Sequence, residues 1–177
     1  MVKYVRGTCV AAALIVCAAR ADAQFGGLGL LGFGGNLGVV VPTEGLQDRW
    51  KIGLGGGIIL EPPVAGTWSA TGEFGITRLI GATTTDGLGT ETRNNDLTYY
   101  EFSVGVRRKL GAGPWFVGVD GAYYIFDING SNGLEDEAGV LPAFGFRVQD
   151  FGITARYKLA GDAHWAQLRF SFRGLLR

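Results

Sequence analysis

The segment YYEFSVGVRRKL, Tyr99 to Leu110, places Tyr100, Phe102, Val104 and Val106 on one side and Glu101, Ser103, Gly105, Arg107 and Lys109 on the other. Successive side chains of a strand point to opposite faces, so a period of two predicts a strand between two unlike environments. The same reading, bounded by turn residues, yields eight runs: Leu28–Val41, Trp50–Leu60, Trp68–Ile80, Thr98–Leu110, Trp115–Asp127, Val140–Val148, Phe151–Leu159 and Trp165–Leu176. Most approach the roughly 9–11 residues with which a tilted strand crosses a bilayer. No stretch carries a helical period. The chain reads as all-β.

The connections alternate in length. GATTTDGLGTETRNND and INGSNGLEDEAG, the third and fifth links, are long, polar and acidic. Strands four and five are joined by Gly111-Ala112-Gly113, and strands six and seven by Gln149-Asp150. PTEGLQDR and AGDAH are intermediate, and EPPVAGT is short, its Pro62-Pro63 ending the strand before it. In an up-and-down sheet the odd links share one end and the even links the other. Outer-membrane barrels carry longer loops outside and tight turns on the periplasmic side. The parity predicts that arrangement, with both termini at the periplasmic end.

Alternation alone leaves open which face is interior. The residues on the less apolar face decide it. Trp115, Val117, Val119, Tyr123 and Ile125 oppose Phe116, Gly118, Asp120, Ala122, Tyr124 and Phe126; Ala166, Leu168, Phe170 and Phe172 oppose Gln167, Arg169, Ser171 and Arg173. That face is mostly Gly, Ala, Ser and Thr with isolated charges. A solvated surface favours many long Lys and Glu side chains and has no use for glycine in strand interiors. A narrow eight-stranded lumen holds small side chains and a few large polar ones. The expected fold class is therefore an eight-stranded antiparallel up-and-down transmembrane β-barrel, apolar face outward. Trp50, Trp68, Trp115 and Trp165, at the starts of strands, are expected as membrane-interface aromatics in two girdles.

The first residues and the charge refine this picture. MVKYVRGTCVAAALIVCAARADAQ has a basic start (Lys3, Arg6), an apolar stretch from Val10 to Ala19 and the small-x-small triplet Ala21-Asp22-Ala23. It reads as a secretory signal peptide over 1–23, leaving 24–177 as the barrel domain. Both cysteines, Cys9 and Cys17, fall in the leader, so the remainder has no disulfide, thiolate nucleophile or cysteine metal site. Without the leader the formal charge is −2, which gives no reason to expect nucleic acid as a partner. Charged residues are 18% of the chain, below the roughly 25% usual in soluble domains.

With these patterns in place, the chain resembles the OmpX/OmpA-type outer-membrane β-barrel domain family through GGLGLLGFGGNLGVVVPTEGLQD, YYEFSVGVRRKLGAGPWFVGVDGAYY and FGITARYKLAGDAHWAQLRFSF. The resemblance spans about Phe25 to Leu176. It implies export to the outer membrane of a Gram-negative-type bacterium, lipid as the surrounding partner, and insertion by the barrel-assembly machinery. Family members usually end on an aromatic residue; here Phe170 and Phe172 are followed by Arg173-Gly174-Leu175-Leu176-Arg177.

Inward charges are the candidate site. Lys51, Glu73, Glu101, Arg107, Lys109, Asp120, Arg147, Arg156, Lys158, Arg169 and Arg173 are expected as a lumen charge network, because ions in a narrow interior must be paired or hydrated. Such a network either plugs the lumen or lines a thin, basic-biased path for small anions or water. Catalysis is not expected: the one histidine, His164, has Asp162 beside it but no serine at a suitable spacing, and Ser103 or Ser171 would have to reach it from other strands. GLGLLGFGG lacks the context and lysine of a nucleotide loop. Asp86, Glu91 and Asp96, or Glu135-Asp136-Glu137, match no EF-hand, so no metal and no cofactor are expected. The leading role is structural or surface interaction, adhesion or envelope integrity, through the long loops at Thr83–Asp96 and Asn129–Ala138, with the ligand unknown; a narrow solute channel or an envelope lipid-modifying enzyme is the alternative.

Overall fold

The computed structural model describes residues 32–43, 46–85, 87, 89–128, 134–160 and 163–173. The proposed leader lies outside them. In chain order the strands are β1 (Gly34–Pro42), β2 (Trp50–Leu60), β3 (Pro63–Ala65), β4 (Trp68–Gly81), β5 (Thr83–Thr85), β6 (Glu91–Arg93), β7 (Leu97–Lys109), β8 (Trp115–Ile128), β9 (Leu134–Val148), β10 (Phe151–Ala160) and β11 (Ala163–Arg173). Eight of them, β1, β2, β4 and β7 to β11, form a single antiparallel meander that closes where β1 pairs with β11. The short strand β3 pairs with the start of β4, and β5 with β6 makes a separate hairpin at the opposite end. Closure leaves the barrel without a free edge along its wall.

The alternation places the bulky face outside. Leu37, Leu54 and Phe151 are 64%, 68% and 72% exposed, whereas Arg107, Arg156 and Lys158 are 3%, 3% and 0% exposed. Phe102, Val117 and Leu168 look outward as well. This inverts a soluble barrel and is what hydrocarbon around the wall requires. The fold is an eight-stranded transmembrane β-barrel.

Three local results differ from the sequence pattern. Strand six begins at Leu134 rather than Val140, since residues 134–138 continue the ladder opposite 123–127. The acidic stretch hides this extension because, beyond the apolar belt, both faces are wet and alternation no longer marks a strand. The expected loop Asn129–Ala138 is therefore partly strand, and residues 129–133 lie outside the described set. The other expected loop, Thr83–Asp96, contains the β5–β6 hairpin. The third result is a bulge in β2. Trp50 pairs with Gly81 and Gly53 with Leu79, so β2 carries one extra residue against β4. A one-residue shift reverses facing. Trp50 turns inward and Lys51 outward, opposite to a strict period of two.

Small residues on the inner wall make room for large ones. A Cβ at Gly118 would lie 2.9 Å from Cγ of Arg107, and one at Gly105 would collide with the Asp120 carboxylate. Each glycine sits across the ladder from a charged side chain that crosses over it.

Candidate functional site

The interior is stratified along the axis. In the long-loop half, Val40, Trp50, Leu79, Leu97, Tyr99, Tyr124, Phe126, Leu141 and Trp165 form an apolar cluster. Tyr99 stacks on Trp165 at 5.0 Å, and Tyr124 meets Trp165 edge-on at 5.3 Å. The Lys158 ammonium enters this cluster 3.6 Å from the Trp165 ring centre, 4.1 Å from Tyr124 and 5.0 Å from Phe126. Its hydrogen-bond partner is Glu137, at 2.9 Å. A cation over several ring faces is held by their quadrupoles.

The middle layer is a connected ionic net. Arg156 donates to Glu101 at 2.6 Å, to Glu73 at 3.0 Å and to Asp120 at 3.4 Å. Arg169 pairs with Glu73 and, at 2.9 Å, with Glu101. Neutral groups complete the layer: Gln167 accepts from Arg156 and donates to Tyr99 at 3.1 Å, Asn36 donates to Glu73 at 2.9 Å, and Thr71 donates to Asp120 at 2.6 Å. Strands β1, β4, β7, β8, β10 and β11 all contribute, so the net ties the wall together across the lumen. Each buried carboxylate of the layer has a guanidinium partner, and Asn36, Gln167 and Thr71 add neutral donors.

At the short-turn end the pattern reverses, with one carboxylate among three guanidiniums. Glu61, just after β2, accepts from Arg107 at 2.8 Å and from both terminal nitrogens of Arg147 at 2.6 Å, and it pairs with Arg173. Ser69 adds a hydrogen bond at 2.9 Å. Burial would raise the Glu61 carboxyl, but the Arg147 hydrogen bond and the charges of Arg107, Arg147 and Arg173 outweigh it and hold it at about 2 against an ordinary 4.5. The Phe116 ring lies between two of these cations, 5.2 Å from Arg107 and 5.1 Å from Arg147.

Of the expected lumen charges, Glu73, Glu101, Asp120, Arg156 and Arg169 meet in the middle net, Arg107, Arg147 and Arg173 converge on Glu61, and Lys158 stands in the aromatic cluster. Lys51 does not join them, because the β2 bulge turns it to the exterior. Lys109 does not either. It keeps the inward parity, opposite Phe116, but is the last residue of β7, at the rim, and is exposed. The tryptophans also divide. Trp68 and Trp115 are each 46% exposed on the outer wall at the short-turn end, with Arg108 over Trp68 and Phe144 stacked on Trp115 at 5.4 Å. Trp50 and Trp165 are corrections: they are 8% and 0% exposed inside the barrel. Trp50 is turned in by the bulge and donates to the Asn95 carbonyl at 3.0 Å, while Trp165 shares its pairing level with Lys158 and cages it. At the long-loop end the outward aromatics are Tyr100, Tyr123 and Tyr157 instead.

Sequence reading missed Glu61, which was assigned only to a proline-stopped link. It also missed the neutral members Asn36, Gln167 and Tyr99 and the partner Glu137. Glu137 lies in the acidic run considered for a metal, yet it faces Lys158 while Asp136 accepts from Tyr123 at 2.5 Å. Asp86 and Asp162 lie outside the described residues. Asp96 accepts from the Gly81 amide, and this bond first, then Arg78 and Arg93, holds its carboxyl below the usual range. Among the described residues, no group of three or more His, Cys, Asp or Glu is placed to hold a metal ion. His164 stacks on Tyr157 at 6.1 Å, while Ser103 and Ser171 are buried in the lumen, so these candidates for catalysis are not brought together.

No family model and no curated protein matches the chain. Among solved structures it is similar to the Yersinia pestis outer membrane protein Ail. The backbone structure of Ail in a phospholipid bilayer nanodisc is 14% identical, with a TM-score of 0.53 over 80% of this chain and 99% of that one. The crystal structure of Ail, the attachment invasion locus protein of Yersinia pestis, is 15% identical, with a TM-score of 0.44 over 80% and 96%. At this identity the likeness is one of fold: the architecture is that of the OmpX/OmpA-type eight-stranded barrels.

Proposed function

We propose that the chain is an exported, non-enzymatic integral protein of a Gram-negative-type outer membrane, whose barrel anchors an exposed interaction surface at the long-loop end. The observation that carries this reading is the pairing of an apolar outer wall with a lumen closed by its own side chains. Arg156, Lys158, Glu101 and Trp165 are essentially inaccessible, each engaged by neighbours from other strands. A barrel plugged this way has little left to conduct through, and the charges of its middle net are engaged by one another. What it offers to partners is the β5–β6 hairpin and the β8–β9 extension, raised above the wall. Ail, of like fold, is an outer membrane protein, which agrees with the setting. Residues 1–23 act as the export signal, and the barrel-assembly machinery inserts the mature chain.

The test has two parts. Envelope fractionation should place the protein in outer membranes, with unboiled samples migrating differently from boiled ones; absence from that fraction rejects the location. Replacing residues 83–93 by a short Gly-Ser turn should leave this gel shift intact and abolish attachment of expressing cells to the surfaces they otherwise bind. Single-channel recording should give no steady conductance, and a stable open pore would overturn the plugged lumen.

A further inference from the structure

The short-turn mouth holds cations in excess. Three guanidiniums, Arg107, Arg147 and Arg173, converge on the single carboxylate of Glu61. Asp150, in the adjoining turn, carries a second carboxylate, and Asp120 of the middle net, shared with Arg156, also faces Arg107; among the described residues the mouth's own groups are three cations to two anions. The Glu61 oxygens already take four guanidinium contacts, two of them from Arg147, so the carboxylate has no further capacity. Donors remain. Each guanidinium carries five N–H groups in a fixed fork, and Nε of Arg107 and Nε of Arg173 are buried without a hydrogen-bond partner among the described residues. The Arg107 side chain is 3% exposed, a position where an unengaged charged donor is costly.

We propose that this mouth is a binding site for a small soluble oxyanion, phosphate in the first instance, held by Arg107, Arg147 and Arg173 beside Glu61. Guanidinium forks match the oxygen spacing of phosphate. A further anion also relieves the repulsion that remains among three like charges drawn together on Glu61. Entry is from the short-turn side: the Arg147 and Arg173 side chains keep 19% and 20% of their exposure. Arg108 and Lys109, exposed at the rim, add a field that draws anions inward. Phe116 fixes two of the three forks from the side. The groups face the axis rather than the outer wall, which favours a soluble ion over a lipid headgroup.

The probe is inorganic phosphate, titrated by calorimetry into full-length protein folded in a neutral detergent, with chloride at matched ionic strength as reference. Phosphate should bind at one per barrel and raise the unfolding midpoint above the chloride value. Arg147→Gln should weaken binding about tenfold or more, as expected for loss of a bidentate charged contact. Glu61→Gln should strengthen it, since the anion then faces three uncompensated guanidiniums; damage to the fold alone would do the reverse. If Glu61→Gln fails to fold, Arg173→Gln decides in its place by weakening binding while the control Lys51→Gln, on the outer wall at the opposite end, does not. Phosphate acting no more strongly than chloride, or binding Arg147→Gln as well as the natural chain, overturns the proposal. So does displacement of phosphate by phosphatidylglycerol in nanodiscs, which would assign the site to a lipid headgroup.

Discussion

The two ends of the lumen are each organised around one buried ion, of opposite sign and by opposite means. Lys158 is surrounded by ring faces and needs a single carboxylate, Glu137, whose side chain is 25% exposed and still hydrated. Glu61 has no rings to lean on; its oxygens are saturated by guanidiniums from β7, β9 and β11. Aromatic quadrupoles attract a cation without bringing in a counter-charge. A buried carboxylate finds comparable support only from donors, and the best donors are themselves charged. The long-loop half can therefore be mostly apolar, whereas the short-turn half accumulates arginine. Between them the middle net sets three carboxylates, Glu73, Glu101 and Asp120, against two guanidiniums, Arg156 and Arg169.

Breaking the boundary between the halves should have the largest effect. Arg156→Met leaves three buried carboxylates facing Arg169 alone, and removing one partner of a buried pair costs roughly 3–5 kcal/mol. With three acids involved, loss at or beyond the top of that range is expected, read as a collapse of the urea midpoint in detergent. Glu61→Gln comes next, at about 3 kcal/mol, because Gln retains one acceptor but leaves Arg107 buried without its counter-ion.

How far the halves could be read from sequence follows from the same physics. Strand existence, meander order and facing were legible because hydrocarbon imposes a strict apolar period on every strand that crosses it. The period fails where that constraint ends. Residues 135–138 lie past the belt, with accessible side chains on both faces, and read as loop although they are strand. The bulge between Trp50 and Gly53 inverts two residues with no composition signal beyond a glycine-rich run. Inward charges were legible as wrong-face residues, but Glu61 sits outside any alternating run, and only the fold brings it beneath Arg107 and Arg147. Trp165 had a usable signal: it shares parity with Gln167 and Arg169. That parity placed it inward, against the general preference of tryptophan for membrane interfaces.

The pH dependence sharpens the contrast at the short-turn end. The Glu61 carboxyl is lowered from 4.5 to about 2 on folding. A depressed folded-state value means that the unfolded chain binds the proton more readily, so this contribution is complete above about 4.5 and is lost as pH falls from 4.5 through 2. The difference in urea midpoint between the natural chain and Glu61→Gln should be constant at neutral pH and shrink across that acid window. A difference that grows on acidification would contradict the arginine clamp.

The smallest effects belong to the long-loop half, where a cation sits among rings that would accept an apolar group instead. Lys158→Met forfeits cation–π attraction of about 2 kcal/mol but places a flexible thioether against Tyr124, Phe126 and Trp165, and Glu137 can turn to water. The net loss should be near 1 kcal/mol, well below that of Glu61→Gln. Trp165→Phe should cost still less, under about 1 kcal/mol: the ring face over Lys158 is retained, though weaker, and the buried indole N–H, which has no partner among the described residues, is removed. Two opposing terms of similar size leave little net change in the urea midpoint. If Trp165→Phe were instead as damaging as Glu61→Gln, the indole would be acting through a hydrogen bond rather than its π face, and the aromatic half would depend on saturated polar partners just as the arginine half does.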